Sequence, residues 1–273
     1  VFAKRWNYIG RDKRASFILC LAIMMLVAIY QMLVPEALIT GFVCTIVILG
    51  IYLNLENPDI QESMLYEHEM IMGFATLVEK RDDSTGGHIR RTSKYVELLA
   101  KELRKQGHYK SVLTKDYIDN LRMAAPMHDI GKIAVPDAIL QKPGRLTDEE
   151  FETMKLHAES GGKIIKETLR KVDDEEYKIM AYNVATYHHE KWNGKGYPEG
   201  LKEYAIPLEA RIMAIADVFD AVSEKRCYRD ALPLEECFAI IEEGRGRDFE
   251  PLLVDMFLNI RAQVEEAHYK LSK

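Results

Sequence analysis

Eight histidines are spread along 273 residues, and five of them stand where a metal ion could use them: His88, His128 beside Asp129, His157, and the adjacent pair His188 and His189. Imidazole nitrogen and carboxylate oxygen, without thiolate, make a donor set suited to iron, manganese or zinc. A further donor is Asp217. It lies within 208–222, a stretch so apolar (Ile212, Met213, Ile215, Val218, Phe219) that a carboxylate there must meet a cation or a polar partner, because burying it alone is costly. With Asp129 bridging, such a set would hold two ions roughly 3.5 to 4 Å apart. Taken singly, a histidine is more often a surface group or a hydrogen-bonded core residue, and His68, His108 and His268 receive that reading. The five carry weight jointly: the His-Asp doublet stands in Met127-His128-Asp129-Ile130-Gly131-Lys132, and the His pair directly precedes a glycine-rich loop. Asp129 and Lys132, three residues apart at a helix end, share a face, so the ammonium can reach a phosphate bound at the metals. The plainer alternative for Lys132 is a solvated side chain.

These side chains need helices to bring them together. Apolar residues recurring at three and four positions predict helices near 61–80, 86–106, 114–129, 147–168, 174–188, 207–223, 233–243 and 250–269, with no convincing set of strands. Thr147 followed by Glu150 reads as a capping box, and Pro207 and Pro233 sit where first turns begin. The expected fold class is therefore all-α. Upstream, 16–34 and 37–55 carry no charged residue and are separated by Pro35-Glu36. Nineteen residues rise roughly 28 Å as a helix, close to a ~30 Å hydrocarbon core, which predicts a transmembrane helical hairpin within 1–55. Lys4, Arg5, Arg11, Lys13 and Arg14 precede the first run and place that end on the cytoplasmic side, with Tyr30 and Tyr52 suited to the interfaces. Residues 56–80 then read as a linker or signalling helix, and 70–273 as the soluble domain. Val1 in place of methionine predicts a piece whose natural start lies further upstream.

The net charge of -6 argues against duplex nucleic acid as a partner, which requires many phosphate-neutralising cations. The four cysteines form no CxxC pair, excluding a zinc ribbon or a disulfide framework and fitting a reducing cytosol. In the loop 188–200, glycines at 194 and 196 allow close backbone approach, and Tyr197 offers an aromatic face and a hydroxyl to a base or ribose. Arg226 and Arg229 carry planar forks suited to phosphate or guanine edges. Their plainer readings are a common turn for Gly196-Tyr197-Pro198 and an ion pair of Arg226 with Asp220 or Glu224.

The loop His188-His189-Glu190-Lys191-Trp192-Asn193-Gly194-Lys195-Gly196-Tyr197-Pro198 closely resembles the signature of the HD-GYP family. Other pieces match in order over roughly 70–260: Thr85-Gly86-Gly87-His88, the HDIGK run at 128–132, His157, and Ala216-Asp217-Val218-Phe219-Asp220-Ala221. The resemblance implies an HD-type helical bundle that hydrolyses cyclic di-GMP to linear 5'-pGpG, and further to GMP in some members. It implies metal ligation by His88, His128, Asp129, His157, His188, His189 and Asp217, with Asp129 and Lys132 catalytic. Substrate contacts would fall on Lys132, Gly196, Tyr197, Pro198, Arg226 and Arg229. Two divalent ions, iron or manganese, are the implied cofactors. A third is not expected, because the family's third-site glutamate, four residues before the first histidine, is here Ser84, with only Asp82 and Asp83 nearby. The implied setting is bacterial second-messenger signalling at the cytoplasmic (inner) membrane, with lipid around the hairpin, the catalytic domain in the cytoplasm, and GGDEF-domain or other signalling proteins as partners. Whether the linker helix makes a homodimer stays open. Two rivals stand beside this expectation: an HD-type hydrolase of cyclic GMP-AMP or guanosine polyphosphates, and a non-catalytic cyclic-dinucleotide receptor. The segment 244–251 and Cys227 depart from common family forms and are candidates for tuning substrate choice.

Overall fold

A computed structural model describes residues 58–82, 87–172, 174–224 and 231–272, together with Ala22, Met25, Leu26, Ile29, Tyr30 and Leu33; side chains are described from Glu69 onward and at those six positions, Asp82 excepted. The six positions are helical and exposed. The predicted hairpin, 16–34 and 37–55, otherwise lies outside the described residues, among which no helix is long and apolar enough to cross a membrane. The chain divides into two units, Val1–Glu67 and His68–Lys273.

Helices joined by turns and loops make up the described residues of the second unit, with one isolated bridge between Arg245 and Phe249 and no strand. The longer helices are α1 Pro58–Glu79, α2 His88–Lys105, α3 Lys115–Ala124, α5 Asp148–Thr168, α6 Glu175–Tyr187, α7 Leu208–Ser223, α8 Leu234–Glu243, α9 Pro251–Asn259 and α10 Arg261–Leu271. Between α3 and α5 lie two 3-10 turns, Ala125–Met127 and Ile130–Ala134, and the single-turn helix α4, Asp137–Leu140. The expected capping box is present: Thr147 Oγ1 accepts from the Glu150 amide at 3.3 Å, and Glu150 Oε2 accepts from the Thr147 amide at 2.7 Å. It fixes where α5 starts, and so the phase at which His157 leaves it.

Two of the predicted helices are broken. The stretch 114–129 stops being α-helical at Ala124, because Pro126 has no amide hydrogen to donate and its ring crowds the preceding turn. His128 and Asp129 therefore stand between two 3-10 turns rather than at the end of a continuous helix. The stretch 250–269 is likewise two helices, α9 and α10, parted at Ile260, whose φ of -100° and ψ of 17° leave the helical region while its side chain stays buried.

The core centres on α2, whose buried stripe Tyr95, Val96, Leu99, Ala100 and Leu103 packs against α3, α7 and α10. Phe219 of α7 meets Tyr95, Phe238 and Phe257 at ring-centroid distances of 5.4, 4.8 and 5.2 Å. Burying a phenyl ring contributes about 1.5–3 kcal/mol, and each aromatic pair adds roughly 0.5–1.5 kcal/mol. Phe219 thus anchors the helix that carries Asp217 and Asp220 on either side of it. A second packing unit joins α5 to α6 and to the turn Ile130–Ala134. Here Gly131 leaves no room for a side chain: a Cβ would lie 1.9 Å from the His157 carbonyl oxygen and 2.4 Å from the Gly161 amide nitrogen. This close approach seats the His128-Asp129 turn on the helix bearing His157. Gly131→Ala is expected to lower unfolding free energy by about 3 kcal/mol or more, read from urea denaturation, since backbone must move to admit the methyl. An unchanged midpoint would refute the packing described.

Candidate metal centre

His88 is the first residue of α2, His157 lies in α5, His188 caps the C-terminus of α6 with His189 next to it, and Asp217 lies in α7. The fold brings these five histidines and two aspartates together as two adjoining clusters, Asp129, His157, His188 and His189, and His88, His128 and Asp217. Within each, the potential donor atoms lie within 4.8 Å of one another. Asp129 stands between the clusters: Oδ1 is 3.4 Å from His157 Nε2 and 3.7 Å from His188 Nε2, while Oδ2 is 3.4 Å from His128 Nε2. Asp217 Oδ1 is 3.7 Å from the Nε2 atoms of both His88 and His128.

The direction of the imidazoles is set by what their other nitrogens bond. Nδ1 of His128, His157 and His188 lies 2.8, 2.7 and 2.9 Å from the carbonyl oxygens of Ala125, Met154 and Val184. A carbonyl brings no proton, so each Nδ1 carries the hydrogen and donates it, leaving the Nε2 lone pair aimed into the centre. His88 does the same towards Asp220 Oδ2 at 2.8 Å. His88 Nε2 and His128 Nε2 then face each other at 3.1 Å, a contact that only a proton on one of them or a cation between them makes favourable. The Nε2 atoms of His157 and His188 are buried without a hydrogen-bond partner. Lone pairs packed this way repel unless a positive charge sits among them, so the residues fit a metal ion as the missing partner.

The electrostatics agree. Burial, with the neighbouring imidazoles, holds His188 down to about 3, lowers His157, and holds His189 well below the usual histidine range. All three stay neutral, as ligation requires. Burial also opposes charge on His128, but Asp129 and Asp217 outweigh it and push that imidazole up to about 9. A proton there answers the negative potential that a metal ion would answer. Asp129 itself would be raised by burial, yet Lys132, whose ammonium is 2.7 Å from Oδ2, and His128 hold it well below the usual carboxylate range.

Around the centre, Glu190 Oε1 accepts from the amides of Glu199 and Gly200 at 2.8 and 3.0 Å, closing the loop 190–200 on itself. Gly196 belongs where the loop folds back: a Cβ would lie 2.3 Å from the Lys191 amide nitrogen and 2.6 Å from the His189 carbonyl oxygen. Tyr197, joined to Pro198 by a cis peptide, lays its ring 4.7 Å from that of His189. Burial, and then the charges of Asp129 and Asp217, raise its phenol, so it remains a proton donor. Gly196 and Tyr197 thus border the histidine cluster, and Pro198 is exposed beside them. Arg226, Arg229, Cys227, Ser84 and Asp83 lie outside the described residues, as does the Asp82 side chain.

Asp220, Arg91 and Glu79 matter here, and spacing alone did not single them out. Asp220 holds His88 and is itself gripped by Arg91, Nε to Oδ1 at 2.6 Å and Nη2 to Oδ2 at 2.9 Å. Burial favours the neutral acid, but His88 and Arg91 outweigh it and keep Asp220 below the carboxylate range. The available signal was its position three residues beyond Asp217 in an apolar helix. Glu79, at the end of α1, lines the same small cavity as His88, His128, Asp129 and Lys132. Its signal was weaker, a glutamate following the buried Ala75 and Val78. His268, expected to be structural, is buried with Nδ1 3.2 Å from the Tyr95 hydroxyl.

Residues 74–253 match the family model described as the HD domain. The chain belongs to the HD-domain family. A protein of Vibrio cholerae serotype O1 named cyclic di-GMP phosphodiesterase is 43% identical over 202 residues, 73% of this chain and 41% of that one. A probable cyclic di-GMP phosphodiesterase of the same organism is 46% identical over 191 residues, covering 69% and 43%. Its 3'3'-cGAMP-specific phosphodiesterase 2 is 39% identical over 190 residues, covering 70% and 34%. The chain thus spans less than half the length of each of these relatives. HD-domain hydrolases are metal-dependent, and the clusters at Asp129 suit that chemistry.

Burial and the charges around these imidazoles give the metal-free HD domain a pH dependence. A histidine held low, as His188 is, contributes stability that is full above its unfolded pKa of about 6.5 and is lost as pH falls toward 3. A histidine held high, as His128 is, contributes stability that is full below about 6.5 and is lost as pH rises toward 9. Melting temperature measured in chelator between pH 5 and 9 is therefore expected to peak near neutrality. Excess Mn(II) at pH 7.5 should add roughly 5–10 °C, from about 2.7 kcal/mol at a hundred times Kd. A metal-independent melting temperature would count against the site.

Proposed function

We propose that the HD domain hydrolyses a phosphodiester bond of a cyclic dinucleotide, cyclic di-GMP first, at a centre of two divalent ions. The observation that carries this reading is the placement of Asp129, with one carboxylate oxygen turned toward His157 and His188 and the other toward His128. A carboxylate so placed serves two cations at once, and two adjacent cations suit in-line displacement at phosphorus. The relatives' names support the substrate class, and the 3'3'-cGAMP-specific relative makes that hybrid dinucleotide the second candidate.

In this reading His88, His128 and Asp217 would hold one ion and His157, His188 and His189 the other, with Asp129 available to both. When bound, the ions supply a water acidic enough to attack phosphorus near neutral pH and offset the charge that develops there. Water oxygen bonds to phosphorus, the bond to the 3' oxygen breaks, and a proton goes to that oxygen, giving linear 5'-pGpG. Lys132 keeps Asp129 ionised, and its ammonium beside the centre favours the more anionic transition state of a phosphodiester bound there. Neutral Tyr197 borders the His189 side, where a base or ribose of the bound nucleotide would lie. The apolar runs 16–34 and 37–55 support a membrane tether with the HD domain on the cytoplasmic side, which fractionation of cells producing the chain would test.

The deciding measurement is metal content and turnover of an anaerobic preparation offered cyclic di-GMP and 3'3'-cGAMP side by side. About two metals per chain and faster cleavage of cyclic di-GMP are expected; binding without cleavage would replace the enzyme with a receptor. Asp129→Ala should lose both ions and turnover, and retention of either would sink the shared-carboxylate centre. Lys132→Ala should keep metal content and lower kcat by roughly a hundredfold or more.

A further inference from the structure

An aromatic ring and a cation beside the histidine cluster have no part in holding metal. Phe151, in the first turn of α5, leaves 45% of its surface in water, on the same helix as His157. Isolated exposed apolar residues are ordinary. This one belongs to a chain of rings that runs to the centre: Phe151 meets Tyr197 at 6.4 Å with planes at 86°, and Tyr197 meets His157 at 6.3 Å and His189 at 4.7 Å. One helical turn on from Phe151, Lys155 holds its ammonium 5.0 Å from the Phe151 centroid and 5.7 Å from that of Tyr197. Its salt bridge to Glu152, at 2.6 Å, is with a carboxylate side chain 68% exposed, and exposed pairs of this kind yield readily to a stronger anion.

An exposed ring with a cation over it, next to a site for a phosphodiester, suits a ligand that offers a flat π-face and a second negative charge. A cyclic dinucleotide has both, since only one of its two phosphates can lie at the scissile position. We infer that Phe151 and Lys155 form a substrate subsite of the HD domain, Phe151 stacking on a purine base and Lys155 meeting the phosphate that is not cleaved. The inference rests on the cyclic-dinucleotide reading of the metal centre. Stacking is tolerant of base identity because every base has a π-face, so this subsite sets affinity for dinucleotides as a class. Choice between guanine and adenine falls to groups that bond base edges.

The test is steady-state hydrolysis of cyclic di-GMP by the metal-loaded full chain. Phe151→Ala is expected to raise KM about tenfold while kcat stays within about threefold and metal content is unchanged. Phe151→Trp should restore KM. Phe151→Leu, which keeps apolar bulk without a π-face, should raise KM as alanine does, covering the case in which Phe151→Ala fails to fold. Lys155→Gln should raise KM and flatten its dependence on ionic strength. A wild-type KM in both Phe151→Ala and Phe151→Leu overturns the subsite, as does a joint fall of kcat and metal content that marks a merely structural role. A wild-type protein that cleaves neither cyclic di-GMP nor 3'3'-cGAMP instead overturns the proposed function, and the subsite with it.

Discussion

Three backbone carbonyls and one buried carboxylate hold the protonated nitrogens of four imidazoles, and this constraint governs the rest of the site. With Nδ1 committed to Ala125, Met154, Val184 or Asp220, each ring must present its Nε2 lone pair to one interior volume. Nitrogens converging at 3.1 Å, with the buried Nε2 atoms of His157 and His188 lacking a hydrogen-bond partner, destabilise the protein unless a proton or a cation is shared among them. The supporting structure follows from keeping these rings in place. Gly131 lets the His128-Asp129 turn touch α5, Arg91 secures Asp220 behind His88, and Phe219 anchors the helix carrying both α7 aspartates.

The same arrangement separates the tasks of the charged groups. His157, His188 and His189 are held neutral, while Asp129 is held ionised by Lys132. Lys132 is placed by the tight turn that also carries Asp129, so one short segment, 128–132, puts a potential donor into each cluster and an ammonium beside them. The loop 190–200 is closed by Glu190 and by the tight packing at Gly196, which brings Tyr197 against His189. The site thus draws on turns and helix ends for His88, His128, Asp129, His188 and His189, and on helix interiors for His157 and Asp217.

Much of the helical plan is legible in the sequence because apolar periodicity and capping are local. The capping box at Thr147 and the prolines before α7 and α8 are present in the structure. The breaks at Pro126 and Ile260 were harder to read. Apolar recurrence continues through both, and only Pro126 carries a local signal against helix. For the site, the donor residues stood out through their chemical types and their joint occurrence. Asp220, Arg91 and Glu79 did not, since a carboxylate or guanidinium has no distinctive spacing until its partner from another helix is in view.

By itself the sequence determined which atoms could bind metal, the all-helical class, and the resemblance that links His128-Asp129 to His188-His189 and Gly196-Tyr197-Pro198. Those properties reside in side-chain chemistry and short-range periodicity. Only the tertiary structure decided that Asp129 stands between two clusters, which nitrogen of each imidazole faces inward, and that Phe151 and Lys155 border Tyr197. The meeting of the clusters, and of Phe151 with Tyr197, depends on contacts between distant segments, as between His88 and Asp220, 132 positions on; the carbonyls that hold Nδ1 of His128, His157 and His188 are local, and only helix packing brings their Nε2 atoms together. Their distances arise from how whole helices pack, which no local run of residues encodes.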